Sequence, residues 1–158
     1  MTTRRVLKPA FQAKPKSQQA ASTGSSDDLP PRRGEVINYV YLFAAEQAGG
    51  RDEGLKERPV IVIAADGKGY IVLAVTTKGE INPSNTIKIP GDVGKAMGLP
   101  YPDSSFVVVS EANSFDWMGF DVRARANGDY RYGMVTPGFF TKIVTEFLSR
   151  SGRSVNRR

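Results

Sequence analysis

Two apolar runs joined by one tight turn constrain the fold of this chain more than any other feature. Residues 59–65 read PVIVIAA and residues 70–75 read YIVLAV, and both runs are continuous in apolar character. The intervening residues 66–69, DGKG, contain the Asp-Gly pair that is typical of hairpin turns. The sequence therefore predicts an antiparallel hairpin whose two strands both lie in the centre of a sheet.

The predicted hairpin brings a guanidinium and two hydroxyls to one end of the sheet. Arg58 precedes the first strand, and Thr76 and Thr77 follow the second. A guanidinium and a hydroxyl that emerge together at a strand end can grip a phosphate group. The structural alternative is that Arg58 pairs with Glu57 or Asp52 at a strand edge and that the threonines are ordinary strand residues.

Composition excludes several kinds of chemistry. The chain has 158 residues, which suffice for one domain with a core but not for two ordinary ones. It has no His, which excludes acid–base catalysis by imidazole and removes the commonest metal ligand. It has no Cys, which excludes disulfides and thiolate chemistry. No apolar run approaches the roughly 20 residues that a membrane helix needs. We therefore expect a soluble, cytoplasmic protein with no membrane partner, no metal and no other cofactor.

Positive charge is concentrated at the two ends of the chain. The net charge is +6, yet residues 1–33 hold seven basic and two acidic side chains, and residues 150–158 hold four arginines. The intervening body is therefore mildly acidic. The ends are either solubilising disordered segments or segments that help to hold an anionic partner by counterion release. The predicted organisation is a disordered basic tail over 1–32, one folded domain over 33–149 and a basic tail over 150–158.

The remaining pattern predicts a mainly β fold that ends in one helix. Besides the hairpin, short strands are expected over residues 34–43, 86–89, 105–111, 115–118 and 120–124, with a long loop over 44–57 and one or two helical turns over 91–98. Thr136 suits the N-cap of the final helix and Pro137 its first position. The apolar face of that helix comprises Phe140, Ile143, Val144 and Phe147, with Leu148 beside it. Such a chain favours a small, strongly bent sheet or barrel with the helix packed on it.

Five segments, in this order and spacing, resemble the PemK/MazF toxins of bacterial toxin–antitoxin modules. They are RRGEVINYVYLF (32–43), KERPVIVIA (56–64), LAVTTK (73–78), VVVSEAN (107–113) and GMVTPGFFTKIVTEFL (133–148). The Arg-Pro junction at Arg58 and its distance from the threonine pair are the most specific part. The resemblance covers residues 33–148 and leaves both tails out.

The resemblance implies an SH3-like β-barrel with a C-terminal α-helix that acts as a metal-independent endoribonuclease. The substrate would be single-stranded mRNA, the active species a homodimer, and the inhibitor a cognate antitoxin protein. Catalytic roles would fall on Arg58, Thr76 and Glu111. Two positions depart from the family: Val109 stands where some members carry a catalytic Arg, and Ala74 stands where Pro is common.

Cleavage of RNA through its own 2′-hydroxyl needs a base, charge stabilisation at the phosphorus and an acid. Arg58 suits charge stabilisation because its fork meets two phosphate oxygens, whereas guanidinium is a poor base. Glu111, or a loop carboxylate such as Glu53 or Glu57, is the better base candidate, and the Thr76 hydroxyl can donate to a phosphate oxygen. Substrate binding is assigned to Thr77, Glu53, Lys56 and Asn113.

Other interpretations stay open at the level of the sequence. Trp117 is either a core or dimer-interface residue or a platform for stacking bases. Asn113 either recognises a base of the RNA or is an ordinary residue at the end of a strand. One fold can serve many functions, so three alternatives to an endoribonuclease remain. The domain is a non-catalytic binding module, a toxin that binds a protein target such as a topoisomerase, or a toxin-like protein that no longer cleaves RNA.

Overall fold

The computed structural model describes residues 29–50, 56–79, 83–117, 119, 121–150 and 153–156. The chain divides into two compact units. One unit comprises Pro31–Arg123 and Tyr130–Arg158 and carries the strands and helices given below. The other comprises Met1–Pro30 and Ala124–Asp129, and its described part includes a turn in which Gly128 N–H donates to the Arg125 carbonyl. The disordered tail predicted over 1–32 falls largely outside the described residues and stays a prediction.

Within the described residues, strands dominate and the longest helix lies near the C-terminal end of the chain, which confirms the predicted mainly β class with a C-terminal helix. The strands are β1 (Glu35–Val40), β2 (Glu57–Asp66), β3 (Gly69–Thr76), β4 (Thr86–Lys88), β5 (Phe106–Val108), β6 (Glu111–Asp116), β7 (Arg131–Met134) and β8 (Arg153–Asn156). The helices are α1 (Ala44–Ala48), α2 (Gly91–Ala96) and α3 (Pro137–Ser149).

The predicted hairpin forms between β2 and β3. Its strands pair from Asp66 opposite Gly69 to Val60 opposite Ala74, with one register shift along the way. Gly67 takes a φ of +62°, a left-handed conformation that favours glycine and explains why the turn sits at this position. Both strands have neighbours on each side, as their continuous apolar character predicts. β3 is buried over most of its length, and β2 is buried over its middle residues 60–63.

The sheet is open in the part of the chain that the structure describes, so the prediction of a closed barrel is wrong there. The strand order is β4-β5-β3-β2-β1-β7, and β6 pairs with β3 and β8 off this path. The physical reason is that two strands, β5 and β6, pair with the same edge of β3, the edge opposite β2. The first half of β3 pairs with β6 and its end pairs with β5. The ladder therefore branches at β3 instead of returning to β7.

Several element boundaries differ from the sequence prediction. The strand expected over 105–111 is two strands, because the chain leaves β5 after Val108 and starts β6 at Glu111. Of the strands expected over 115–124, Phe115 and Asp116 continue β6, and Val122 makes only an isolated bridge to Tyr39. Helix α1 lies in the expected loop, and β8, parallel to β6, lies within the expected C-terminal tail.

Two apolar clusters cover the two faces of the sheet. On one face α3 buries Phe139 and Ile143, while Phe140 of the predicted stripe is only partly buried. The other face holds a run of stacked rings that includes Tyr39, Tyr70 and Phe115, with centroids 4.9 to 5.6 Å apart. Trp117 packs at the border of this second cluster, 5.8 Å from Tyr70 and 5.5 Å from the ring of Tyr130.

None of the helices in the described ranges is both long enough and apolar enough to cross a membrane.

Candidate functional site

A groove of about 410 Å³ lies at the open end of the β2–β3 hairpin. Val60 is opposite Ala74, so continuing the antiparallel register by two residues places Arg58 opposite Thr76. The predicted meeting of Arg58 and Thr76 at one end of the sheet is confirmed, and both residues line the groove. The other polar side chains of its wall are Lys56, Glu57, Thr77, Lys78 and Ser105.

Arg58 is half-buried and held against an aromatic ring. Its guanidinium carbon lies 4.8 Å from the centroid of the Phe43 ring, a cation–π distance. Its Nε atom is buried and has no hydrogen-bond partner among the residues that the structure describes. Burial lowers the pKa of Arg58, while the negative charge of Glu46 and the nearby Tyr41 oppose that shift. Guanidinium nevertheless stays cationic near neutral pH.

The proposed pairing of Arg58 with Glu57 does not occur. Glu57 Oε1 instead accepts a hydrogen bond from Asn38 Nδ2 at 2.7 Å. Asp52, the other suggested partner, lies outside the described residues. Within the described part of the chain, no carboxylate accepts a hydrogen bond from the Arg58 guanidinium.

The threonine pair ends β3 on the groove wall. Thr76 Oγ1 accepts a hydrogen bond from Lys78 N–H at 3.0 Å, which leaves its hydroxyl proton to be donated. Thr77, Lys78 and Lys56 are exposed along the same wall. The groove thus combines three cations and two threonine hydroxyls with one carboxylate, that of Glu57, among the described lining residues. Such a surface suits a phosphodiester chain.

Glu111 does not line the groove, although the sequence suggests it as a catalytic acid or base. It is buried at the start of β6, where its Oε2 accepts a hydrogen bond from Ala44 N–H at 2.8 Å. Glu46 Oε1 accepts from Phe43 N–H at 3.0 Å in the manner of a capping box. Both carboxylates therefore fix the beginning of α1, which a sequence pattern of this length does not reveal.

Asn113 is fully buried and also lies away from the groove. Its Oδ1 accepts from Leu42 N–H at 2.9 Å and its Nδ2 donates to the Leu42 carbonyl at 2.8 Å. Asn113 and Glu111 thus hold the backbone on the two sides of Phe43, the residue that contacts Arg58. Glu53, the remaining substrate-binding candidate, lies outside the described residues.

Sequence reasoning missed Tyr101, Pro100 and Lys78, all of which line the groove. Tyr101 reaches it from the connection between α2 and β5, far from the hairpin in sequence. The available signal was the run Pro100-Tyr101-Pro102, an aromatic residue held between two prolines in a polar segment.

The chain matches no known protein family and no curated protein in searches of both. The likeness to PemK/MazF toxins therefore rests on the five segments quoted above, and its functional content is a proposal.

Proposed function

We propose that this protein is a PemK/MazF-like endoribonuclease that cleaves single-stranded RNA in the cytoplasm and whose toxicity a cognate antitoxin neutralises. The observation that carries the proposal is the setting of Arg58. A permanently charged fork stands half-buried on the Phe43 ring, beside Thr76 and within a groove that two exposed lysines also line. A half-buried cation that forms no salt bridge with a described carboxylate favours an anionic ligand.

The cations of the groove and Thr76 have separate roles in 2′-hydroxyl attack. Arg58 donates to the non-bridging oxygens of the scissile phosphate, where negative charge grows in the transition state. Thr76 adds one hydroxyl donor, and Lys56 and Lys78 bind neighbouring phosphates. These interactions preorganise the phosphate for attack.

Glu57 is the general base in this proposal, in place of the buried Glu111. Glu57 is one of the residues that line the groove, and its Oε1 accepts a hydrogen bond from Asn38 Nδ2. It accepts the proton of the 2′-hydroxyl, the 2′-oxygen bonds to phosphorus, and the bond from phosphorus to the 5′-oxygen breaks. The 5′-oxygen takes a proton from water, and the hydroxide that remains takes the proton from Glu57, which restores both the water and the carboxylate. The products are a 2′,3′-cyclic phosphate and a 5′-hydroxyl, with no metal in the reaction.

The test is incubation of the purified protein with single-stranded RNA in excess EDTA, followed by analysis of the new ends. The expected result is cleavage that leaves cyclic phosphates and is lost in Arg58→Ala. Arg123→Ala is the matched control, because Arg123 is an exposed arginine outside the groove lining. Activity that vanishes in EDTA and returns with Mg²⁺ would overturn the mechanism. Growth inhibition without any RNA cleavage would favour a protein target.

A further inference from the structure

Tyr101 stands out among the described aromatic residues because its side chain is exposed. It is 65 % exposed, whereas the other described rings are buried or half-buried in the two clusters or against neighbouring side chains. Its exposed position is on the wall of the groove that also holds Arg58. Trp117, the ring that the sequence suggests for stacking, packs against Tyr70 and does not line the groove.

The backbone that carries Tyr101 is fixed in several ways. Its carbonyl accepts hydrogen bonds from Ser105 Oγ at 2.6 Å and from Ser104 N–H at 3.1 Å. Prolines flank it on both sides, and Pro102 opens a short 3₁₀ turn. A Cβ at Gly94 would lie 2.8 Å from the Pro102 carbonyl oxygen, so α2 packs closely on this turn. A rigid segment presents the ring at little further cost in conformational entropy.

An exposed ring beside a row of cations is the combination that binds single-stranded nucleic acid. The cations follow the phosphates and the ring stacks on a base, with little dependence on base identity. We propose that Tyr101 is the stacking platform for an unpaired base next to the phosphate that Arg58 holds, an inference that rests on the proposed function. A base inside a duplex cannot reach such a ring, so Tyr101 selects single strands over double strands.

The test measures binding to a strand that cannot be cleaved. The probe is a mixed-sequence DNA single strand, which lacks the 2′-hydroxyl and carries the fluorescent base 2-aminopurine, with its duplex as a second probe. The variants are Tyr101→Ala, Tyr101→Phe and, as a matched control, Leu148→Ala, because Leu148 is 68 % exposed on α3 and outside the groove lining. Stacking quenches the fluorescence of 2-aminopurine, so each titration reports both affinity and stacking.

The expected result is quenching and binding by the wild type and by Tyr101→Phe. In Tyr101→Ala the quenching is lost and Kd rises on the order of 10- to 100-fold. Leu148→Ala behaves as the wild type, and the duplex binds more weakly than the single strand. The salt dependence of binding separates stacking from phosphate contact. The slope of the logarithm of the binding constant against the logarithm of the salt concentration is unchanged in Tyr101→Ala, but its magnitude falls by about one in Lys78→Ala.

The outcomes that contradict the inference are distinct from those that contradict the proposed function. Wild-type affinity and quenching in Tyr101→Ala overturn the stacking role, even if RNA cleavage in EDTA is intact. Binding with quenching, but without RNA cleavage, overturns the proposed function and leaves the stacking role. Absence of single-strand binding by the wild type overturns the stacking role, and if RNA is also left uncleaved in EDTA, both proposals are overturned.

Discussion

At the scale of single residues, Arg58 joins a permanent charge to partial burial, and this combination costs stability. Burial lowers the pKa of Arg58, which means that the folded protein disfavours its charged form relative to water. The ring of Phe43 offsets part of that cost. A charged side chain that is partly buried at a cost in stability is typical of a functional site.

Arg58→Ala should therefore abolish cleavage without weakening the fold. Loss of a preorganised donor typically costs on the order of 100- to 1000-fold in rate. Arg58→Lys keeps the charge but loses the bidentate fork, so it should be severely impaired as well, and Thr76→Ala should be milder. Cleavage rates and melting temperatures of the three variants check this. Full activity in Arg58→Ala would place the site elsewhere.

Tyr41 should make the fold sensitive to alkali. Burial first, and then the charge of Glu111, raises the pKa of Tyr41 above its ordinary value of 10.0. Burial also raises the pKa of Tyr70. A raised folded-state pKa contributes stability that is fully present below the unfolded pKa and is lost as the pH rises above it. The free energy of unfolding should thus fall above pH 10.

Tyr41→Phe should flatten that fall and should not destabilise the protein at neutral pH. The Tyr41 hydroxyl is buried and has no hydrogen-bond partner among the described residues, so its removal gives up no such bond there. Urea unfolding of both proteins between pH 7 and pH 11 measures the difference. Identical pH profiles, or a clear loss of stability at pH 7, would contradict the prediction.

At the scale of elements, β6 holds the backbone segment that carries Phe43, one of the residues that line the groove. Asn113 and Glu111 reach from β6 to the backbone on either side of Phe43, and Phe43 in turn contacts Arg58. The strand thus joins the sheet to the site through hydrogen bonds from its side chains to the main chain of residues 42 and 44. We interpret both residues as positioning residues, since neither lines the groove.

Asn113→Ala should lower stability much more than Arg58→Ala does. The substitution leaves the N–H and the carbonyl of Leu42 buried and unpaired, which should cost about 3 kcal/mol in the free energy of unfolding. Thr76→Ala is a useful control because Thr76 lies at a half-buried strand end. Denaturant unfolding gives both values. A loss in Asn113→Ala no larger than in the control would show that the Leu42 contact is dispensable.

At the scale of the whole molecule, the open sheet leaves β4 and β7 as edges within the described part of the chain. Open edges and exposed apolar side chains such as Leu148 favour association. They accord with the homodimer that the PemK/MazF resemblance implies.

We expect sedimentation equilibrium to give twice the chain mass of 17.2 kDa at micromolar concentration. The mass should be unchanged when Arg58 is replaced by Ala, because Arg58 lies in β2, which is not an edge strand of the sheet. A monomer throughout the micromolar range would remove the dimer from the proposal.

The sequence by itself determined the hairpin, the final helix and the meeting of Arg58 with Thr76. These features depend on short-range rules: a glycine turn fixes the register of its own strands, and Thr136-Pro137 marks the start of a helix. The placement of Arg58 opposite Thr76 follows from that register alone.

Only the tertiary structure decided the rest of the site. Glu111 and Asn113 look like strand-end polar residues until the packing of β6 shows that they bind the backbone of residues 42 and 44. Tyr101 reaches the groove through the fold of a distant connection. The branching of the sheet at β3 depends on which of two strands occupies each half of one edge. Which distant strands and side chains come together is set by burial and hydrogen bonding across the whole domain, and local sequence patterns do not encode it.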